Sequence, residues 1–388
     1  MGYQKSFQTY ILFILSVIAG PVVCLAVPTP PDIKATSYIL MDYNSGQILA
    51  SSNMHEKVEP ASLTKMMTIY ALDHDLANGR VQLTDNVYIS GKARNAQGSR
   101  MYVEQNTYVP LDQIIKGVII QSGNDASIAL AEHLGGNEET FAQLMNFHAK
   151  NLGMNDSYFK NATGLPEEGH LTSAYDMAIL ARALIKEFPD SYHLYSQKSF
   201  KYNNIEQPNR NRLLWENSFV DGIKTGYTDT AGYCLAASAM KDNTRLISVV
   251  MGTDSDKTRT FESIRLLSYG FRFFESIKLH EAAIPLTTEK VWFGDKKNVE
   301  IKVNQDIYVS VPAHQQKNLK ADLYIKEKLI APINIDQQVG LVRIYLGEQI
   351  VHQEPVYVSS AVKKGSFFSK IVDKISILIE SLFHRNNE

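Results

Sequence analysis

Three short motifs in this chain carry the side chains that acyl transfer through a serine ester requires. In order, they are Ser62-Leu63-Thr64-Lys65, Ser122-Gly123-Asn124 and Lys224-Thr225-Gly226. Together they supply a nucleophilic hydroxyl, an amine base, a second hydroxyl that relays a proton and a cation that binds a substrate carboxylate. A single Ser-x-x-Lys has little weight, since the spacing recurs at Ser157, Ser238 and Ser360. The order and context of all three motifs predict a serine acyl-transfer site.

The spacing of Ser62 and Lys65 predicts that a helix brings their side chains together. Residues three apart lie on one helix face, so the amine reaches the hydroxyl. The residues that follow keep helical apolar spacing, at Leu63, Met66, Met67, Tyr70 and Leu76. Three factors disfavour a charged Lys65: burial, the helix N-terminus and a second cation at Lys224. We therefore expect a neutral Lys65 that acts as the base for Ser62. In isolation the motif would indicate only a serine at a helix start and a solvated lysine.

The second motif, Ser122-Gly123-Asn124, falls between two helical patterns. Residues 110–121 form the first pattern and residues 125–134 the second, so we expect a tight loop between them. Loops held by rigid elements commonly carry catalytic groups. We expect Ser122 to pass a proton to the leaving amine and the Asn124 amide to hold a substrate carbonyl. Alone, the motif would indicate an ordinary turn.

The third motif precedes two apolar runs, residues 233–240 and 246–251, that predict a hairpin of buried strands. Lys224-Thr225-Gly226 then forms an edge strand, where Lys224 and Thr225 bind a carboxylate and Gly226 admits a substrate backbone. The backbone N–H groups of Ser62 and Tyr227 are candidates for an oxyanion hole. Arg259 begins another helical pattern, either as a solvated first-turn residue or as a second cation for the carboxylate.

The longer strings around the motifs resemble the penicillin-recognising serine enzymes, and more narrowly the low-molecular-mass penicillin-binding proteins that are D-alanyl-D-alanine carboxypeptidases. The strings are residues 60–68, 121–126, 221–226, 270–274 and 291–294, so the resemblance covers nearly the whole chain. It implies that Ser62 is the acyl-ester nucleophile, Lys65 the proton acceptor, Ser122 the third active-site residue and Lys224 the binder of the substrate terminus. One departure is Tyr227, where some relatives have histidine.

The resemblance also implies a fold and a reaction. The fold is α+β, with a five-stranded antiparallel sheet flanked by helices. The reaction removes the terminal D-alanine from a peptidoglycan stem peptide through an acyl-enzyme on Ser62, with no metal or organic cofactor. β-Lactam antibiotics are expected to acylate the same serine.

Two other functions share these motifs. A class A β-lactamase needs a Glu-x-x-Leu-Asn string for its deacylating water, and the region that would hold it reads Glu167-Glu168-Gly169-His170. A non-catalytic penicillin or muropeptide sensor would have lost Ser62 or Lys65. The ten histidines include no His-Glu-x-x-His, which disfavours a zinc peptidase.

Composition and patterning predict an exported protein of more than one domain. The 388 residues are 44% hydrophobic with a formal charge of −2, which allows a large core and gives no argument for nucleic-acid binding. Residues 1–26 have the features of a secretory signal peptide. We expect a catalytic domain over residues 27–277. After that, the spacing of apolar residues changes from period 3.6, typical of helices, to period 2, typical of strands. This change predicts a small β-sandwich domain over residues 278–360.

The tail, residues 361–388, has an amphipathic helical pattern from Phe367 to Phe383. Charged residues interrupt it, at Lys370, Asp373, Lys374 and Glu380, so it cannot span a bilayer as an apolar helix. Lys363, Lys364 and Arg385 suit an anionic lipid surface. We expect a peripheral anchor on the periplasmic face of the cytoplasmic membrane. The alternative is a helix whose apolar face packs on the β domain.

Overall fold

The computed structural model describes residues 27–326 and 328–385, and the side chains within α-helix 367–385 only as far as residue 377. The predicted signal peptide, residues 1–26, lies outside the described residues. The fold is α+β, as the sequence predicts. A mixed helical and sheet region is followed by a region of strands and a final helix.

The first region contains short strands and helices in alternation. Its strands are β1 (Ser37–Asp42), β2 (Ile48–Ser52), β3 (Asn86–Tyr88), β4 (Tyr108–Pro110), β5 (Ser199–Tyr202), β6 (Ile205–Pro208), β7 (Val220–Thr228), β8 (Gly232–Lys241) and β9 (Thr244–Thr253). Its helices are α1 (Thr64–Ala77), α2 (Gly91–Arg94), α3 (Leu111–Ile119), α4 (Asn124–Gly135), α5 (Glu138–Asn151), α6 (Ala174–Glu187), α7 (Pro189–Tyr192), α8 (Leu213–Glu216) and α9 (Asp256–Phe273).

A five-stranded antiparallel sheet separates two hydrophobic cores. The strand order is β2-β1-β9-β8-β7, which places β7 at an edge. Along β1, Ile39 and Met41 join the core formed with α1 and α6, while Tyr38 and Leu40 join the core formed with α9. This alternation is the period-2 signature of a strand buried on both faces.

The elements predicted around the three motifs are confirmed. A 3-10 turn, Ala61–Leu63, carries Ser62 and runs directly into α1. Helices α3 and α4 flank the second motif, and the predicted hairpin is β8 and β9. The third motif lies on the edge strand β7, paired with β8.

The second region is a β-sandwich. Its strands are β10 (Phe274–His280), β11 (Thr287–Trp292), β12 (Asn298–Lys302), β13 (Ile307–Pro312), β14 (Leu319–Ile325), β15 (Leu329–Ile330), β16 (Gln338–Leu346) and β17 (Gln349–Val358). Six of them form one sheet in the order β14-β16-β17-β12-β11-β15, and β10 pairs with β13. Alternate residues such as Val299 and Ile301 form the core between them. Ser45 and Ser310 share a hydrogen bond of 2.9 Å between the two regions.

The predicted C-terminal helix is α10 (Phe367–Arg385). Asp373 holds it to the β-sandwich, because its carboxylate accepts the Phe293 backbone N–H at 2.7 Å and the Lys297 ammonium at 2.7 Å. These contacts hold the pKa of Asp373 below its usual value, the Lys297 hydrogen bond being the main cause. Within the described residues, no helix combines the length and apolar character needed to cross a membrane.

Candidate active site

The three motifs meet at one pocket of about 320 Å³ between β7 and the N-terminal ends of α1 and α4. Predicted site residues that line it are Ser62, Ser122, Asn124, Thr225, Gly226, Tyr227 and Arg259. Lys65 and Lys224 are buried beside it, with 1% and 2% of their surface exposed. The structure thus brings together all nine residues that the sequence analysis selected.

The predicted nucleophile, Ser62, and its predicted base, Lys65, are in hydrogen-bonding contact. Lys65 Nζ lies 3.0 Å from Ser62 Oγ. The turn that carries Ser62 begins at Ala61, whose φ of 46° lies in the left-handed region that residues with a Cβ rarely adopt. Strain of this kind persists where the surrounding structure fixes the backbone.

Two other atoms fix the Lys65 amine. It donates to Asn124 Oδ1 at 2.7 Å and to the Thr163 carbonyl at 2.6 Å. A neutral amine has two N–H donors and one lone pair, so these two acceptors leave the lone pair for the Ser62 hydroxyl proton. Desolvation lowers the pKa of Lys65 to about 7, against the opposing effect of the nearby Asp125 carboxylate. The site therefore favours an amine that accepts a proton near neutral pH.

The second motif supplies a buried hydroxyl and an amide that is already engaged. Ser122 lines the pocket with a φ of 62°, again in the left-handed region. Asn124 accepts from Lys65 and donates through Nδ2 to the Gln97 carbonyl at 2.6 Å. One amide N–H of Asn124 therefore remains for a substrate carbonyl. Its contact with Lys65 was not foreseen from the sequence.

The third motif presents Thr225 and Gly226 to the pocket and keeps Lys224 buried next to them. Lys224 Nζ donates to the Thr225 carbonyl at 3.0 Å. Desolvation holds the pKa of Lys224 well below its usual value, and Lys65, Arg259 and Arg210 add to the effect. Lys224 thus contributes to the electrostatics of the pocket from behind its lining residues.

Gly226 is favoured by a close approach within the protein itself. A Cβ at this position would lie 3.1 Å from Ala61 Cβ and 3.2 Å from the Ser62 backbone nitrogen. Such distances are tighter than ordinary packing allows. The missing side chain therefore lets β7 lie against the turn that carries Ser62, which is a reason for glycine in addition to the predicted substrate access.

Arg259 lines the pocket but is largely committed to the protein. Only 7% of its surface is exposed, so the alternative that Arg259 is a solvated first-turn residue is wrong. Its Nη1 donates to the Gly226 carbonyl at 2.9 Å and to the Cys234 carbonyl at 3.3 Å, and its Nη2 binds Asp256. These contacts tie α9 to β7 and β8, so Arg259 fixes the pocket wall. A direct contact with substrate stays a prediction.

Arg210 is a pocket cation that the sequence analysis missed. It is exposed and lines the pocket, and it lies between two buried asparagines. Asn209 donates to the Gln197 carbonyl at 2.9 Å, and Asn211 donates to the Gly222 carbonyl at 3.0 Å. In the sequence, only the two asparagines on either side of Arg210 could have indicated a fixed cation. That pattern is too short to predict a binding residue without the fold.

Other features limit the chemistry of the site. The Glu167 carboxylate accepts from Asn161 Nδ2 at 3.1 Å and lines a different pocket, so it is not placed to activate water at Ser62.

Cys234 is a free, buried thiol whose pKa is raised to about 11 by burial. Over the described ranges, no cluster of three or more side chains suitable for a metal ion occurs.

Fold and site together are those of a serine acyl-transfer enzyme, and comparison with known proteins places the chain in a family. A family described as D-alanyl-D-alanine carboxypeptidase matches residues 25–255, and a second, described as penicillin-binding protein 5, C-terminal domain, matches residues 274–364. The chain is 41% identical over 365 residues to the D-alanyl-D-alanine carboxypeptidase DacA of Escherichia coli, which is 92% of this chain and 91% of that protein.

Solved structures of penicillin-binding proteins are similar to this chain as well. Penicillin-binding protein 5 from Haemophilus influenzae is similar with a TM-score of 0.84 and 41% identity, covering 87% of this chain and all of that one. Penicillin-binding protein D2 from Listeria monocytogenes, in an ampicillin-bound form, is similar with a TM-score of 0.58 and 25% identity over 62% of this chain and 100% of that chain. The chain belongs to the D-alanyl-D-alanine carboxypeptidase family of serine peptidases, which confirms the family predicted from the motifs.

The buried amine generates a prediction about pH. Lys65 accepts the Ser62 proton only when neutral, so we expect acylation by penicillin to slow tenfold for each pH unit below about 7 and to level off above it. Lys65→Ala should reduce acylation by about 10²–10⁴-fold. Lys65→Arg is the matched control: it should also lose acylation, since a guanidinium remains charged at any accessible pH and cannot accept the Ser62 proton.

The measurement is the rate of covalent penicillin labelling across pH, with circular dichroism to check folding of each variant. A pH-independent rate in the native enzyme, or native labelling by Lys65→Ala, would show that another group is the base.

Proposed function

We propose that this protein removes the terminal D-alanine from peptidoglycan stem peptides through an ester on Ser62. The observation that carries the proposal is the contact of 3.0 Å between Ser62 Oγ and the buried Lys65 amine. The pocket beside this pair also offers a second hydroxyl and cationic groups, which a peptide with a free C-terminal carboxylate requires. No other group within hydrogen-bonding distance of Ser62 competes with Lys65 as base in the described part of the chain.

The proposed reaction proceeds in two steps. Lys65 takes the Ser62 proton as Ser62 Oγ attacks the penultimate carbonyl, and the backbone N–H groups of Ser62 and Tyr227 stabilise the oxyanion. Ser122 relays a proton from Lys65 to the leaving nitrogen, so that D-alanine departs as a free amino acid. Water then hydrolyses the ester and returns the proton to Ser62.

Substrate binding is proposed to depend on the cationic side of the pocket. Arg210 is exposed to the pocket, and Thr225 offers a hydroxyl from the edge strand. Lys224 adds positive potential from behind them. These groups suit the terminal carboxylate of the peptide, which a charge-assisted contact holds in place.

β-Lactams are proposed to acylate the same serine. They present an acyl group and a carboxylate at a similar separation to the end of the peptide. The Listeria relative, whose structure is an ampicillin-bound form, supports this proposal. A β-lactamase remains the rival outcome, disfavoured by the position of Glu167.

Incubation with a D-Ala-D-Ala peptide and with penicillin tests the proposed function. We expect released D-alanine, and with penicillin a stable increase in protein mass equal to one acyl group. Ser62→Ala should show neither, because no acceptor for the acyl group remains. Rapid penicillin turnover without D-alanine release would instead indicate a β-lactamase, and penicillin binding without either product would indicate a sensor.

The cationic groups generate a second prediction. Lys224→Ala and Arg210→Ala should each lower kcat/KM for a peptide with a free carboxylate about tenfold more than for its C-terminal amide, because electrostatic attraction to the carboxylate is lost only in the first case. Lys201→Ala, an exposed cation of β5 outside the pocket lining, is the control and should change neither. Equal losses on the two peptides would contradict carboxylate binding by that residue.

We further propose that residues 1–26 direct export, that residues 27–277 are the catalytic domain, and that residues 278–360 separate it from a membrane surface. Residues 361–388 would form the anchor. The contacts of α10 support this assignment, because its polar residues Ser369 and Asp373 face the β-sandwich.

Five apolar residues in the described part of α10 are exposed: Phe367, Phe368, Ile371, Val372 and Ile375. Phe367 and Phe368 are 74% and 79% exposed, and Val372 and Ile375 are more than half exposed. An exposed apolar stripe of this size is typical of a surface that binds a membrane or a partner. With lysines on the same helix, it suits the outer leaflet of the cytoplasmic membrane.

The tail generates a third test. Deletion of residues 365–388 should release an active enzyme from the membrane fraction into the soluble periplasm. Phe368→Ser/Ile375→Ser is the matched variant, since it removes apolar surface and keeps the Asp373 contacts; we expect it to shift most of the protein to the soluble fraction. Fractionation and D-alanine release are measured together. Retention of both variants in the membrane, or an unfolded truncation, would contradict the anchor.

A further inference from the structure

A second cavity, of about 910 Å³, lies at the end of α1 opposite to Lys65. It shares no lining residue with the catalytic pocket. Much of its wall is apolar and comes from α1, α3, the segment after α1 and the segment 188–197, including Leu76, Val81, Leu83, Ile115, Phe188 and Leu194. Its volume and its apolar wall are typical of sites for small molecules.

One buried carboxylate in the wall has an unused acceptor. Asp73 is 3% exposed, and its Oδ1 accepts from the Ser191 hydroxyl at 2.7 Å. Its Oδ2 has no hydrogen-bond partner in the part of the chain that the structure describes. Buried polar atoms without partners are uncommon in folded proteins, and a ligand donor is one way to satisfy them. Burial raises the pKa of Asp73 to about 7, which fits a carboxyl that lacks a cation.

Two other acids of the wall already have partners, and Asp190 is exposed to solvent. Asp112 pairs with Lys116 at 2.9 Å, and Glu187 accepts from the Tyr70 hydroxyl at 2.8 Å. Among the described lining residues, four carboxylates (Asp73, Asp112, Glu187 and Asp190) face one lysine, Lys116. The cavity therefore has a negative balance, which favours a cationic ligand and repels an anion.

We propose that this cavity is a second binding site, for a small molecule with an apolar body and a protonated amine. The ammonium donates to Asp73 Oδ2, and the apolar body packs against side chains such as Leu76, Ile115 and Leu194. The amine is favoured over a neutral hydroxyl because a charge-assisted hydrogen bond is the stronger of the two. The site is separate from the catalytic pocket, so it does not depend on the proposed reaction.

Three probes of matched shape test the chemistry: phenylbutylamine, phenylbutanol and phenylbutyrate. Calorimetric titration of the purified protein at a pH of about 8 keeps Asp73 mostly ionised, since its pKa is about 7. We expect the amine to bind at least about tenfold more tightly than the alcohol, and the acid not to bind. Equal affinities for amine and alcohol, or no binding of the amine at millimolar concentration, would overturn the proposal.

Two variants of the same pocket locate the contact. Asp73→Asn should weaken amine binding by about tenfold or more and leave the alcohol unchanged. Asp112→Asn is the matched control, because that carboxylate is already paired with Lys116, and both affinities should remain as in the native protein.

If thermal melting shows that Asp73→Asn fails to fold, Leu194→Trp takes its place. The larger side chain fills the apolar part of the cavity, so it should weaken the amine and the alcohol alike by about tenfold. Native amine affinity in a folded Asp73→Asn protein would exclude Asp73 as the ammonium contact, and native affinity in Leu194→Trp would exclude this cavity as the binding site; either result overturns the proposal.

Discussion

The burial of one lysine amine governs the arrangement of the catalytic pocket. Lys65 is held by Asn124 Oδ1 and the Thr163 carbonyl, both hydrogen bonds being shorter than its 3.0 Å separation from Ser62. An amine in such a position is expensive to charge, because burial removes water and neither acceptor is a carboxylate. The elements around it must therefore bring three separate parts of the chain within reach of one nitrogen atom: α1, the start of α4 and the segment around Thr163.

That requirement explains several local features near the pocket. Ala61, next to Ser62, and Ser122, the proposed proton relay, both adopt the left-handed conformation. Gly164 has a φ of 83°, and a Cβ there would lie 1.8 Å from the Ala61 carbonyl oxygen. These three positions are strained or closely packed, and they surround the Ser62–Lys65 pair. The stable helices and sheet on either side fix the conformations that hold the reactive groups together.

The positive charges are arranged around the pocket in two ways. Lys224 and Arg259 are buried in or behind its wall and bind backbone carbonyls of β7 and β8. Arg210 is exposed on a loop that two asparagines fix to the neighbouring backbone. Burial lowers the pKa of Lys65 and of Lys224, and the neighbouring Lys65, Arg259 and Arg210 lower the pKa of Lys224 further.

The sequence alone determined the chemistry of the motifs, the local elements that carry them and the family. Ser62 and Lys65 lie three residues apart in a helix start, and that contact follows from helical periodicity alone. The amphipathic tail and the strands of the β-sandwich were also predictable, because period 3.6 and period 2 are properties of short segments. The roles of individual site residues and the membrane anchor stay predictions.

Only the tertiary structure decided which distant groups share the pocket. Asn124 accepts a hydrogen bond from Lys65, and Lys224 lies beside the pocket rather than in its lining. Arg259 binds backbone carbonyls, and Arg210 comes from a loop without a recognisable motif. The polar face of α10 contacts the sandwich because Asp373 finds Lys297, 76 residues away in the chain. Each of these contacts depends on how the sheet, helices and loops close on one another, and no spacing within a single segment encodes that closure.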